Sequence, residues 1–165
     1  MSKYGENDKQ GQYWNEAPGQ SWVVNDTAMN ERLETISDIL FEGLDTNGCN
    51  NGLDIGCGAG STTRRLATIM GNRAKVTGLD ISEKLLALAR SHPESSGKNF
   101  LQADAQSFKF EPEGFDLAIS RFGVMFFENP FKAFQNIKSA IQKGREMRFV
   151  CWAPISANDF FLSPL

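Results

Sequence analysis

The most regular pattern in the first third of the chain runs from Thr27 to Phe41. There Met29, Leu33, Ile36 and Leu40 recur at steps of three and four, which predicts a helix with one buried side. Residues 1 to 20 are polar and rich in Gly, Asn and Gln, and they predict an irregular arm. Tyr13, Trp14 and Trp22 interrupt that polarity, which implies that part of the arm docks on the body. GLDTNGCNNG then reads as a loop.

Beyond the loop, apolar runs alternate with amphipathic stretches. Leu53–Ile55, Lys75–Leu79, Phe100–Ala103, Phe115–Ser120 and Arg145–Trp152 predict five strands. Between them Ser61–Met70 predicts a helix with Leu66, Ile69 and Met70 inward. A second begins at Ser82, a good cap, and buries Leu85, Leu86, Leu88 and Ala89 before HPESSGK ends it. A third, from Pro130 to Ile141, carries Phe134, Ile137 and Ile141 on one side, with Lys143-Gly144 closing it. Strand alternating with helix at this spacing predicts an α/β fold, a mostly parallel sheet between two helical layers. Ligands of such sheets bind at the carboxyl ends of the strands, where the strand order reverses.

The chemistry gathers at those ends. In LDIGCGAGSTT, Gly56, Gly58 and Gly60 follow the first strand of the alternating region and lead into a helix. A missing Cβ lets a ligand touch the main chain, and the amides opening the helix favour a carboxylate or phosphate. The spacing GxGxG differs from the dinucleotide pattern GxGxxG, whose third glycine position holds Ser61. No GK[ST] follows, so a P-loop is excluded. Asp80 ends the second strand and can accept hydrogen bonds from both hydroxyls of a ribose, or it can cap the next helix in competition with Ser82. Asp104 ends the third strand and can receive an adenine amino group or start a turn. Three consecutive strand ends thus present glycines, an acid and an acid, a nucleoside site without a triphosphate grip.

The totals narrow the class. With 165 residues, 41% apolar and 22% charged, the chain reads as one globular unit with a real core. A net charge of −3 argues against a sequence-blind grip on nucleic acid. No apolar run reaches the roughly 20 residues of a membrane span. The N-terminus has no apolar signal-peptide region, and three cysteines without a CxxC fit a reduced, cytoplasmic setting. One histidine and three scattered cysteines offer no metal site. His92 reads as a surface residue, Asp116 as a strand-entry contact, and Arg121 as the partner of an acidic acceptor or of a salt bridge. No general base is evident.

LDIGCGAG, the acid of VTGLDIS, the acid of QADAQSF and the strand FDLAISRFGVMFF together resemble the class I S-adenosylmethionine-dependent methyltransferases, on the ubiquinone-biosynthesis-like side of the family. The likeness extends to YWN and QSWVVN ahead of the first helix and to KGREMRFVCW near the end. It implies a Rossmann-like α-β-α sandwich and methyl transfer from S-adenosyl-L-methionine to a small-molecule acceptor, mainly by in-line alignment. It also implies roles for particular residues. Asp54 orders the glycine loop and reaches the cofactor's amino-acid end; Gly56, Cys57, Gly58 and Gly60 pass beneath its methionine and ribose portions. Asp80 holds the ribose hydroxyls, Ile81 lies against the adenine, and Asp104 with Ala105 receives the adenine amino group. Ser120, Arg121 and Phe122 line the space toward the acceptor. Residues 1–26, with Trp14 and Trp22, form an arm over the cofactor, and 27–165 form the methyltransferase domain.

The family fold has seven strands, and this pattern supplies five. The expectation is therefore an incomplete domain lacking strands six and seven, with NDFFLSPL as the start of a continuation and an exposed sheet edge open to self-association. A non-catalytic S-adenosylmethionine-binding or interaction module is the alternative of a different class, and an NAD-dependent oxidoreductase a more distant one.

Overall fold

The computed structural model describes residues 7–157; the NDFFLSPL segment lies outside the described residues. The strands are β1 (Asn51–Ile55), β2 (Lys75–Asp80), β3 (Asn99–Gln102), β4 (Phe115–Arg121) and β5 (Ile141–Val150). They form one sheet in the order β3-β2-β1-β4-β5, and every neighbouring pair is parallel. The order therefore reverses between β1 and β4. The helices are α1 (Asp8–Asn15), α2 (Ala17–Val24), α3 (Asp26–Arg32), α4 (Glu34–Phe41), α5 (Ser61–Met70), α6 (Glu83–Ser91) and α7 (Pro130–Ala140).

Strand alternation builds two core layers. Leu117 and Ile119 of β4 pack on one face with Leu40 and Phe41 of α4 and Leu66 of α5. Ala118 turns to the other face, beside Leu53, Ile55 and Leu79, where Ile137 of α7 covers it. Gly78 and Phe100 sit in register on β2 and β3, and Phe100 packs against Leu86 and Ala89 of α6. Ser82 caps α6, its Oγ accepting from the Leu85 amide at 3.3 Å.

Four local expectations change. The arm expected to be irregular is helical over α1 and α2, held by contacts that no apolar periodicity announces. Asn15 donates to the Ile81 carbonyl and accepts from the Glu83 amide, and the Ser82 hydroxyl donates to the Trp14 carbonyl at 2.7 Å. The two helices cross so closely that a Cβ on Gly19 would lie 1.9 Å from the Trp14 carbonyl oxygen. The helix expected over Thr27–Phe41 is two, parted at Leu33 (φ −96°, ψ 6°), whose amide faces both the Met29 and Asn30 carbonyls. Ile69, expected inward, is exposed. Finally, α7 runs straight into β5 at Ile141. Lys143-Gly144 lies inside that strand, at a bulge where Phe115 pairs with Ile141 but Leu117 already pairs with Glu146. Gly144 there has φ +80°, which glycine adopts without steric penalty.

Candidate functional site

The site begins where β1 ends. The Gly56 amide donates to the Leu79 carbonyl at 2.8 Å and Gly60 closes the turn on the Cys57 carbonyl at 2.9 Å, which ties the loop to the end of β2. Gly56 has φ +66°, and a Cβ there would stand 2.5 Å from the Gly123 Cα, so the loops after β1 and β4 touch through two glycines. Gly58, at φ +54°, has nothing within 4 Å of where a Cβ would be and faces open space. Gly60 does a different job, since a Cβ would press into the Phe100 ring at 2.8 Å.

Three acids stand at consecutive strand ends. Asp54 is fully buried on β1; its Oδ2 accepts from the Thr62 and Thr63 hydroxyls at 2.7 Å each, and its Oδ1 has no partner. Burial pushes its carboxyl up, against those hydroxyls and the charge of Arg121. Asp80, ending β2, accepts from the Gly58 amide with Oδ2 and from the Ser82 amide with Oδ1, both at 2.8 Å. Burial pushes its carboxyl up to about 6, the two amides holding it back. Beyond β3, Asp104 accepts from the Asn7 amide nitrogen at 3.3 Å, the Gln106 backbone at 3.1 Å and the Ser107 hydroxyl at 3.0 Å. Both Asp80 and Asp104 therefore organise their local backbone as well as facing the ligand space.

These ends open into a cavity of about 230 Å³. Of the residues singled out from the sequence, Gly56, Cys57, Gly58, Asp80, Ile81, Asp104 and Ala105 line it, together with Trp14, Trp22, Arg121 and Phe122. Asp54, Gly60 and Ser120 do not line it. Asp54 lies beneath the loop, Gly60 against Phe100, and the buried Ser120 hydroxyl donates to the Ile55 carbonyl at 2.7 Å, joining the ends of β4 and β1. Trp14 makes edge contacts with Trp22 and Phe126 at 6.1 and 5.1 Å between ring centres, an aromatic roof carried by α1 and α2. Phe122 adopts φ +67°, a strained conformation for a non-glycine residue, and stacks on Trp152 at 4.9 Å.

Arg121 bridges the floor and the N-terminal helices. Its guanidinium donates to Ser37 Oγ at 2.8 Å, Asn30 Oδ1 at 2.7 Å and Ser61 Oγ at 3.1 Å. Of its two expected roles, the salt bridge is absent among the described residues. Burial lowers its pKa, while Asp54, Asp26 and Glu34 act on it through space in the other direction. Cys57 is buried, and burial pushes its thiol well up, which makes it a packing residue rather than a nucleophile. His92 is exposed and Asp116 accepts from the Asn50 and Asn51 amides at 2.7 and 2.9 Å, a contact at the entry of β1.

Sequence reasoning missed the cavity residues of the N-terminal helices, among them Asn7, Gln10, Asp26 and Met29. Asn7 Oδ1 and Gln10 Oε1 are buried without a partner. With Asp80 and Asp104 they make the wall rich in acceptors, while Gly58 leaves its backbone open. A ligand that fits brings hydroxyl and amino donors along one side and a thin section over the loop. The adenosine part of S-adenosylmethionine has those features.

A family model described as a methyltransferase domain matches residues 53–144. The chain is 30% identical over 99 residues to a 2-phytyl-1,4-naphtoquinone methyltransferase of Synechocystis, covering 58% of this chain and 42% of that protein. It is 28% identical over 114 residues to a ubiquinone/menaquinone biosynthesis C-methyltransferase of Wigglesworthia glossinidia brevipalpis, covering 67% and 46%. Among solved structures, an S-adenosylmethionine-dependent methyltransferase from Mesorhizobium loti superposes with a TM-score of 0.65 at 30% identity, over 74% of this chain and 57% of that one. The chain thus spans less than half the length of these two curated relatives.

Proposed function

The chain belongs to the methyltransferase-domain family, and from that premise we propose that its cavity binds S-adenosyl-L-methionine and aligns it with a small, apolar acceptor for methyl transfer. The observation that carries the reading is the convergence of the open Gly58 backbone, Asp80 and Asp104 on one cavity at the point where the strand order reverses. Asp80 receives the ribose hydroxyls, Asp104 the adenine amino group, and Ile81 and Ala105 flank the base. Gly56, Cys57 and Gly58 run beneath the cofactor, and Asp54 holds the loop in shape from below through Thr62 and Thr63. Residues 7–24 form the cover, with Trp14 and Trp22 in its roof.

When bound, S-adenosylmethionine supplies a methyl group already activated on a sulfonium. What the protein adds is position: a rigid floor at the ends of β1 and β4, and an apolar wall from Met29, Leu33, Met125 and Phe127 that excludes water beside it. Such a wall suits an apolar acceptor, in keeping with the names of the two curated relatives, a 2-phytyl-1,4-naphtoquinone methyltransferase and a ubiquinone/menaquinone biosynthesis C-methyltransferase. Among the described residues no helix is long and apolar enough to cross a membrane.

Calorimetric titration of the chain with S-adenosylhomocysteine and with NAD tests the reading. Micromolar binding of the former and none of the latter is expected. A folded chain that binds neither, or prefers NAD, would overturn it. Transfer of a labelled methyl group to a demethylated naphthoquinone then separates the enzyme from a binding module, which would hold the cofactor and transfer nothing.

A further inference from the structure

Among the described residues, two that are not glycine have a positive φ: Glu113, in an exposed turn, and Phe122, in the cavity wall. For a bulky side chain that conformation is unfavourable, whereas glycine adopts it without steric cost. The chain places its glycine one position later instead. It is needed there, since a Cβ on Gly123 would stand 2.5 Å from the Ile55 carbonyl oxygen. The strained turn is held from both sides. The Phe122 amide donates to the Val150 carbonyl at 2.9 Å, and the Phe122 carbonyl accepts from the Met125 amide at 3.2 Å. Strain held this firmly in a cavity wall points to the group it displays, here the phenyl ring.

The ring is displayed against Trp152. The two rings lie nearly parallel, with 12° between their planes and 4.9 Å between their centres. Trp152 follows β5 and is fastened to the loop after β4 by its amide, which donates to the Met125 sulfur at 3.4 Å. A column of two rings thus stands ready-made beyond the ends of two neighbouring strands, and both rings are half-buried and line the cavity. A ligand ring that joins the column finds its partners already in place.

The sheet order sets which part of a ligand meets this pair. Asp80 ends β2 and Asp104 lies beyond β3, whereas Phe122 and Trp152 follow β4 and β5, on the other side of β1. The pair therefore walls the part of the cavity that the nucleoside contacts leave over. It also distinguishes between kinds of apolar ligand. A flat aromatic ring continues a stack and gains more than burial alone supplies; a puckered saturated ring of the same size does not.

We propose that Phe122 and Trp152 select a planar aromatic methyl acceptor by stacking on its ring. The inference rests on the reading of the cavity as an S-adenosylmethionine site and narrows the acceptor from apolar molecules in general to those with a flat aromatic ring. Gly123 and Met125 are then positioning residues: Gly123 lets the loop close on β1, and Met125 ties the Trp152 backbone to it.

The test loads the full chain with S-adenosylhomocysteine and titrates it calorimetrically with 2-naphthol and with 2-decalol, which has the same fused carbon skeleton and hydroxyl but is saturated and puckered. An unspecialised apolar wall would bind decalol at least as tightly, because burial follows apolar area. Stacking predicts a preference for naphthol of about 3- to 10-fold. Phe122→Leu and Trp152→Leu should each erase that preference by weakening naphthol alone, leaving decalol within about twofold, while Phe122→Tyr should keep it. Circular dichroism checks that the variants fold. Decalol bound as tightly as naphthol by the unmodified chain overturns this inference, needs no variant to fold, and leaves the cofactor site standing. A preference that survives both leucine variants overturns it equally, by placing the ring elsewhere in the cavity. So does tighter binding of N,N-dimethylethanolamine than of naphthol, which would make the aromatic wall a seat for a cation. Failure of the folded chain to bind S-adenosylhomocysteine in the loading titration removes the cofactor site and this inference together.

Discussion

Replacing Asp80 by alanine separates the structural work of that carboxylate from its work on a ligand. In the folded chain Asp80 accepts from the Gly58 and Ser82 amides at 2.8 Å each, so the truncation leaves two backbone donors unpaired. Each costs about 1–3 kcal/mol. Against that, the buried carboxylate is itself destabilised as an anion; its displacement from 3.8 to about 6 corresponds to about 3 kcal/mol. The two effects partly cancel, and the variant should fall between a gain of about 1 kcal/mol and a loss of about 3 kcal/mol of stability. Ligand affinity has no such offset. Two ribose hydroxyls donating to a carboxylate contribute about 1.5–3 kcal/mol each, so S-adenosylhomocysteine should bind at least about a hundredfold more weakly. Urea denaturation gives the first quantity and calorimetry the second. A variant that is folded and binds within about threefold of the parent would refute the assignment of Asp80 to the ribose.

The same carboxylate makes binding sensitive to pH. Its folded pKa of about 6 lies above the unfolded value, so without ligand the folded state holds a proton that the unfolded state has lost, and stability falls as pH rises from about 4 to 6. Ligand hydroxyls favour the ionised form, so affinity should be full above pH 6 and fall below it by at most about tenfold per pH unit; a flat profile from pH 7 to 5 would contradict this. Gly60→Ala places a methyl 2.8 Å from the Phe100 ring at φ +80° and should destabilise by about 2 kcal/mol or more, which an unchanged urea midpoint would refute. Asp116→Ala leaves the Asn50 and Asn51 amides unpaired and should cost about 2–4 kcal/mol while leaving cofactor affinity intact, since Asp116 lies at the opposite end of the strands.

What could be read from the sequence is what local spacing encodes. The glycine loop, the acids at the ends of β2 and β3, the Ser82 cap and the bounds of α5 all depend on neighbours within a few positions, and the structure has them where that spacing puts them. The N-terminal helices could not be read this way. DKQGQYWN has no apolar stripe, and its helix is stable because Trp14, Asn15 and Glu16 meet the start of α6, some 68 positions away. For the same reason Asn7 and Gln10 escaped notice as cavity residues: nothing in their own segment marks them. Lys143-Gly144 misled because Lys-Gly after an amphipathic run is the usual sign of a helix end, and here the glycine serves a bulge in β5 instead. Arg121 was visible as a residue after the fourth strand, but its bonds to Ser37 and Asn30 depended on which side chains α3 and α4 bring to it.

A crystal structure of the chain with S-adenosylhomocysteine tests the central claim most directly. The account predicts adenine within hydrogen-bond reach of Asp104, both ribose hydroxyls on Asp80, and the sulfur arm passing over Gly58 beneath Trp14. A ligand seated elsewhere, or in the cavity with its ribose turned away from Asp80, would contradict it.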